Sequence, residues 1–209
     1  MSAKLFKDDV KFLQRFLKVA GLYKGPLDGK FNAALDTAEN AFAQQFDKIA
    51  EKHGTFDART ESNIRSLLPA AQIKARVFMK EAAKLTEVTC KILSGTRTYE
   101  EQDDLFAIGR TKERGRSPVT KARGGQSNHN FGIAWDVGLF QNGKYLTGDK
   151  PKEDKLYVAL GERILGAVPG LEWGGKWTGF VDKPHYQLPT GKSVKQVRLA
   201  FESGSSFLA

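Results

Sequence analysis

Sulfur and histidine are scarce in this 209-residue chain. The single cysteine, Cys90, excludes an internal disulfide, and its place in the apolar run VTCKIL marks it as a core residue rather than a nucleophile. No apolar run approaches the roughly 20 residues that a membrane helix needs. The opening MSAKLFKDDVKF lacks the apolar stretch of roughly 7–15 residues found in a secretory signal. The expectation is a protein made in the cytoplasm that does not leave by the general secretory route. There are no internal repeats and no low-complexity tracts. With only three histidines in the chain, the two that lie close to carboxylates in sequence carry most of the functional signal.

Negative charge is also in deficit. Lys and Arg number 33 against 24 Asp and Glu, giving a net charge of +9 and a pI of about 9.6. A basic surface favours a polyanionic partner, whether nucleic acid, an acidic cell wall or a lipopolysaccharide-bearing envelope. The basic residues are scattered apart from Arg110 to Arg116, which reads as a solvated loop. No recognition motif accompanies the charge, so no nucleic-acid partner is expected. The length allows one large domain or two small ones, and the composition is that of an ordinary globular chain. A monomer is expected.

Asp8 and Asp9 can open a helix whose apolar positions, Val10, Leu13, Leu17 and Ala20, recur at helical spacing until Gly21. After a Gly-Pro-rich turn, Leu35, Ala38, Phe42, Phe46 and Ile49 predict a second helix, broken at His53-Gly54. Asp57 or Thr60 opens a third, with Ile64, Leu67 and Leu68 on one face and Pro69 as its stop. Such a unit has a small core, and the expected boundary falls between residues 1–69 and 70–209. Within it, LQRFLKVAGLYKGPLDGKFN resembles the start of the peptidoglycan-binding type 1 domain, a three-helix wall-binding module. Asn32 stands where that family usually has Gly, and Asn tolerates a left-handed backbone. Leu35 stands where it usually has Thr. The resemblance implies a peptidoglycan partner, with sugar contacts near Tyr23 to Phe31.

Downstream, a helix is predicted from Ala71 through Leu85, a strand from Val88 to Leu93, and a helix from Glu100 to Ile108. The stretch from Gly109 to Gln126 reads as a long loop, a kind of segment that is often functional. Phe131 to Leu139 alternates as a strand, with Ile133, Trp135 and Val137 on one side and Ala134 and Asp136 on the other. A helix from Leu156 to Val168 and a final strand at Tyr186 to Leu188 complete an α+β catalytic domain, a mixture of helices and antiparallel sheet.

The chemistry concentrates in SNHNFGIAWD, residues 127–136, and in DKPH, residues 182–185. Two imidazoles and one carboxylate form a donor set that suits a catalytic zinc with a fourth position left to water. A bend at Gly132 would let His129 and Asp136 approach one ion, while His185 must be brought in by the sheet. The remaining carboxylate can handle the water's proton.

The runs SGTRTYEEQDDLFAIGR, TKARGGQSNHNFGIAWDVG, LEWGGKW and DKPHYQ, spread over residues 71–188, resemble the M15 family of zinc peptidases. They look in particular like its L-alanyl-D-glutamate endopeptidase branch, found in phage endolysins and bacterial wall hydrolases. Related D-alanyl-D-alanine carboxypeptidases share the same pattern. The resemblance implies His129, Asp136 and His185 as zinc ligands and Asp182, three residues before His185, as catalytic acid and base. Glu172 is the alternative base. Arg97 is expected to stabilise the oxyanion, and Ser127 and Gln102 to hydrogen-bond the peptide stem. Related enzymes often carry an acidic residue where this chain has Gln187, whose amide would orient a zinc histidine with less polarisation. The implied function is peptidoglycan endopeptidase activity at the L-Ala–D-Glu bond. A D-alanyl-D-alanine carboxypeptidase and a catalytically idle wall-binding protein are the alternatives. The missing signal segment fits release through a phage holin onto the wall.

Overall fold

A computed structural model describes residues 7–208; the first six residues of the expected N-terminal domain, and of the opening read for a signal segment, lie outside the described residues. The described elements are seven helices and a five-stranded antiparallel sheet, the α+β class expected. The chain divides into two compact units.

One unit comprises the described residues up to 45, residues 97–132 and those from 190 onward. Helix α1 (Lys7–Val19) carries Asp8 and Asp9 in its first turn and buries Val10, Phe16 and Leu17. The start of α2 (Ala33–His53) is capped by Asn32, whose side-chain oxygen accepts from the Leu35 N–H at 2.9 Å. Asn32 therefore serves as a cap, not as a left-handed turn residue; positive φ among described non-glycine residues occurs at Glu113 and Asn142. Tyr23 is 2% exposed and its hydroxyl donates to the Pro26 carbonyl, so it is core rather than sugar-facing. Phe31, 48% exposed, is the aromatic of that turn that reaches solvent.

Helix α5 (Tyr99–Ala107) starts with a reciprocal capping box between Thr98 and Glu101. The last helix, α7 (Val194–Ser203), has the same device at Ser193 and Gln196 and ends at left-handed Gly204. The last element expected from the sequence is the strand at residues 186–188, and α7 follows it. Its buried Phe201 packs 5.4 Å from both Phe12 and Phe131.

The second unit, residues 46–96 and 133–189, contains the sheet. Asp57 caps α3 (Ala58–Arg65), Pro69 opens α4 (Pro69–Ala82), and both precede β1 (Thr89–Ser94). β2 (Ala134–Gln141) turns into β3 (Lys144–Leu146); α6 (Pro151–Ala167), β4 (Glu172–Trp173) and β5 (His185–Gln187) follow. The strand order is β1-β2-β5-β4, with β3 also paired to β2. Alternation along β2 and β5 sends Trp135 and Tyr186 to one face, where both meet the Phe78 ring of α4 at 6.0 and 4.6 Å. Asp136, His185 and Gln187 take the opposite face.

The units do not follow the 69/70 boundary. α1 packs with α7 in the first unit, whereas α3 packs with β1 in the second. Thr60 Oγ1 accepts from the Ile92 N–H, and Asn63 donates to the Ile92 carbonyl. Cys90 is buried, as expected, and burial pushes its thiol pKa far up.

Candidate metal centre

His129 sits in a single 3₁₀ turn, Asn128–Phe131. Ser127 caps that turn, its Oγ accepting from the His129 N–H at 3.4 Å. Asn130, fully buried, accepts from the Gly125 N–H and donates to the Arg97 and Thr98 carbonyls at 2.9 and 3.2 Å. The Arg97 N–H donates to the His129 carbonyl at 3.1 Å. The turn ends at Gly132, whose φ of 73° would strain any residue with a Cβ. That bend leads the chain into β2, and Asp136 follows four residues later, as the sequence predicts.

β2 and β5 pair antiparallel with Asp136 opposite His185. His185 Nδ1 lies 3.1 Å from Asp136 Oδ1, and its Nε2 lies 2.9 Å from Gln187 Oε1. Ligand atoms of His129, Asp136 and His185 all lie within 4.8 Å of one another. That grouping could hold one metal ion. The donor set also calls for a cation. With Nε2 bonded to the Gln187 oxygen, a neutral His185 ring presents a bare Nδ1 to a carboxylate oxygen, two acceptors face to face. Burial alone pushes the His185 pKa down; the Asp136 hydrogen bond and charge, then Gln187 and Asp182, carry it above its ordinary value. These residues fit zinc.

Asp182 and His185 share the turn into β5, and the His185 N–H donates to the Asp182 carbonyl at 3.3 Å. Pro184 sits in this turn, not in a helix, as expected. Asp182 is half-buried and lines an open cavity of about 340 Å³ with Thr147, Asp154, Tyr157 and Pro184. The turn is fixed by Gly174, whose carbonyl accepts from the Asp182 N–H at 3.0 Å. A Cβ on Gly174 would lie 2.4 Å from the Asp182 carbonyl oxygen and 3.2 Å from His185 Cβ. Gly174→Ala is therefore expected to displace the Asp182–His185 turn at a cost of about 1–3 kcal/mol. Thermal unfolding together with a zinc titration checks this; unchanged values in both would refute it.

Arg97 is half-buried and donates from its guanidinium to Gln102 Oε1 at 3.2 Å. Gln102 itself is fully buried. Its amide donates to the Ala122 carbonyl at 3.0 Å and to Thr120 Oγ1, tying the 109–126 loop to α5. The expectation that Gln102 contacts the peptide stem is thus corrected: its amide hydrogen bonds are spent on protein partners, and it positions Arg97 and the loop. Ser127 likewise serves as the cap of the His129 turn. Two contributors were missed. Asn130 lies inside the motif, but its bonds to the Arg97 and Thr98 carbonyls are invisible in sequence. Trp177, with its ring 4.9 Å from that of His185, ends the run LEWGGKW, but its packing against that histidine is fixed only by the fold.

The M15 peptidase family described as D-alanyl-D-alanine carboxypeptidase matches residues 120–188, the segment that carries all three candidate ligands and Asp182. Over that segment the chain is similar to the M15 peptidases. It is 37% identical over 117 residues to the peptidoglycan L-alanyl-D-glutamate endopeptidase CwlK of Bacillus subtilis strain 168, a match that spans 53% of this chain and 66% of that protein. Among solved structures it is similar to the L-Ala D-Glu endopeptidase ChiX of Serratia marcescens, at 24% identity and a TM-score of 0.47, covering 65% of this chain and 90% of that one. It is also similar to the vancomycin-resistance D,D-pentapeptidase VanY in complex with Zn(II), at 18% identity and a TM-score of 0.43, covering 68% of this chain and 81% of that one. Among the described residues, no helix is long and apolar enough to cross a membrane.

Proposed function

We propose that this chain is a zinc endopeptidase of the M15 type that cuts the L-Ala–D-Glu bond of peptidoglycan stem peptides. The observation that carries the reading is the convergence of His129, Asp136 and His185, with Asp182 in the turn that delivers His185. The likeness to CwlK supports the bond assignment. His129, Asp136 and His185 would hold the ion. Bound zinc supplies Lewis-acid chemistry, polarising the scissile carbonyl and acidifying a water. Asp182 accepts the proton of the attacking water and delivers it to the departing amine. Arg97, held by Gln102, offers a guanidinium to the oxyanion. Removing metal with a chelator is expected to abolish hydrolysis, and zinc to restore it; full activity in verified metal-free protein would refute the reading.

The family description favours a second reading, a D-alanyl-D-alanine carboxypeptidase. Mass analysis of fragments from purified peptidoglycan separates the two. New D-Glu amino termini support the endopeptidase, and free D-Ala alone supports the carboxypeptidase.

The wider setting is an endolysin. The N-terminal helices would anchor the enzyme on the wall through Phe31 and the basic surface, and a holin would release it from the host cytoplasm. Phe31→Ser in the full chain should lower the salt-resistant fraction bound to purified sacculi, while hydrolysis of soluble muropeptides persists. Equal binding would remove Phe31 as a wall contact. Expression without a holin should leave the host intact, and lysis without one would remove that part.

A further inference from the structure

Glu172 has no place in the proton transfers above, yet it is built into the back of the site. β4 pairs with β5 so that Glu172 lies opposite Gln187. Gln187 Nε2 donates to Glu172 Oε2 at 2.6 Å, and Gln187 Oε1 lies 2.9 Å from His185 Nε2. Gln187 is 8% exposed and His185 6%, so little water competes for these bonds. A carboxylate only accepts hydrogen bonds, so the Gln187 amide must turn its NH₂ toward Glu172. Its oxygen is then fixed toward His185. An oxygen there requires Nε2 to carry the hydrogen, which leaves the Nδ1 lone pair directed at Asp136 and the ion.

We propose that Glu172, acting through Gln187, sets the tautomer of His185 and thereby makes Nδ1 its metal-binding nitrogen. Glu172 is a positioning residue, two hydrogen bonds removed from that nitrogen. The amide alone cannot fix the tautomer, because a side-chain amide presents donor or acceptor equally well once flipped. The carboxylate removes that freedom. The inference rests on the metal reading of the preceding section, since the role of Nδ1 is defined by the ion.

The test uses three full-length variants. Glu172→Gln frees the Gln187 amide to flip, and its zinc affinity should fall by about 10–100-fold, the range for lost partners of a metal histidine. Gln187→Glu alone places two carboxylates side by side and should also weaken binding. The combination of Glu172→Gln with Gln187→Glu exchanges the two groups. The carboxylate then accepts directly from His185 Nε2–H and also from the new amide. Zinc affinity should return to within about threefold of wild type, because the loss at stake is about 10–100-fold. A merely structural contribution of Glu172 would not be rescued by this exchange.

Affinity is read by competition with a chromophoric chelator. The protonated nitrogen is read independently from long-range ¹H–¹⁵N correlations of His185 in zinc-loaded protein. Wild type and the exchanged pair should show Nε2–H, and Glu172→Gln a mixture. Glu172→Gln with wild-type affinity and an unchanged tautomer overturns the proposal, as does failure of the exchange to restore either in folded protein. A wild-type protein that binds no zinc overturns the metal reading instead, and with it the role given to Nδ1.

Discussion

Asp182→Asn is expected to slow hydrolysis of a soluble muropeptide by about 10²–10⁴-fold, the contribution usual for general acid–base catalysis. Bound zinc and thermal stability should stay at wild-type levels. Asparagine keeps the shape of the side chain, and the backbone contacts of residue 182 to Gly174 and His185 do not depend on the carboxylate. What is lost is the ability to take a proton. The competing candidate, Glu172, predicts a different split. Its carboxylate is engaged by Gln187 behind the His185 ring, on the side away from Nδ1. Glu172→Gln should therefore raise the zinc concentration needed for activity and leave kcat near wild type once zinc is saturating. A large kcat loss for Glu172→Gln at saturating zinc, with Asp182→Asn active, would exchange the two roles.

The sequence makes His129 and Asp136 of the candidate ligand set legible because their setting is local. Ser127, His129, Gly132 and Asp136 lie within ten residues, and each has a backbone task readable from residue type: cap, ligand, left-handed bend, strand. β2 is legible for the same reason, since its apolar alternation is unbroken from Ile133 to Val137. The strand is expected to start at Phe131, but the 3₁₀ turn and Gly132 delay it to Ala134. Strands β3 and β4, of three and two residues, have no pattern long enough to show; they exist because β2 and β5 offer them edges. Helix α7 was discernible in principle from Ser193 and Gln196 and from Val197 and Phe201, four apart. Gln102 was misassigned because a polar residue in a family motif reads as a substrate contact, whereas its partners, Thr120 and Ala122, are fixed only by the path of the loop. The electrostatic link between residues 54–61 and α4 was equally hidden, because an arginine on a helix normally reads as solvated.

That arginine gives the largest stability effect expected. Arg76, on α4, is fully buried. Its guanidinium forms a two-pronged bond to Glu61, 2.8 Å on each arm, and donates to the Gly54 carbonyl. It also lies 5.0 Å from the centre of the Phe46 ring. Glu61 has a second duty, accepting from the Phe56 N–H at 2.8 Å. Glu61→Ala would leave a buried guanidinium without its counter-charge and an amide without its acceptor. Breaking such a pair costs about 3–5 kcal/mol. The Glu61 side chain keeps 20% of its exposure, so water can partly replace it and the low end applies, about 3 kcal/mol. For a chain of this size that is a fall in Tm of roughly 6–12 °C. Arg76→Met combined with Glu61→Leu removes both charges and should recover much of the loss, since apolar replacements of a buried pair are often neutral. The exposed pair Lys112–Asp104 is the control, and Asp104→Ala should leave Tm unchanged. Thermal unfolding of the three variants against wild type checks these effects, and a Glu61→Ala protein as stable as the Asp104→Ala control would refute them. The expected loss also bears on the first 69 residues. α3 carries Glu61 and bonds β1 through Thr60 and Asn63, so these residues help hold up the sheet that presents Asp136 and His185.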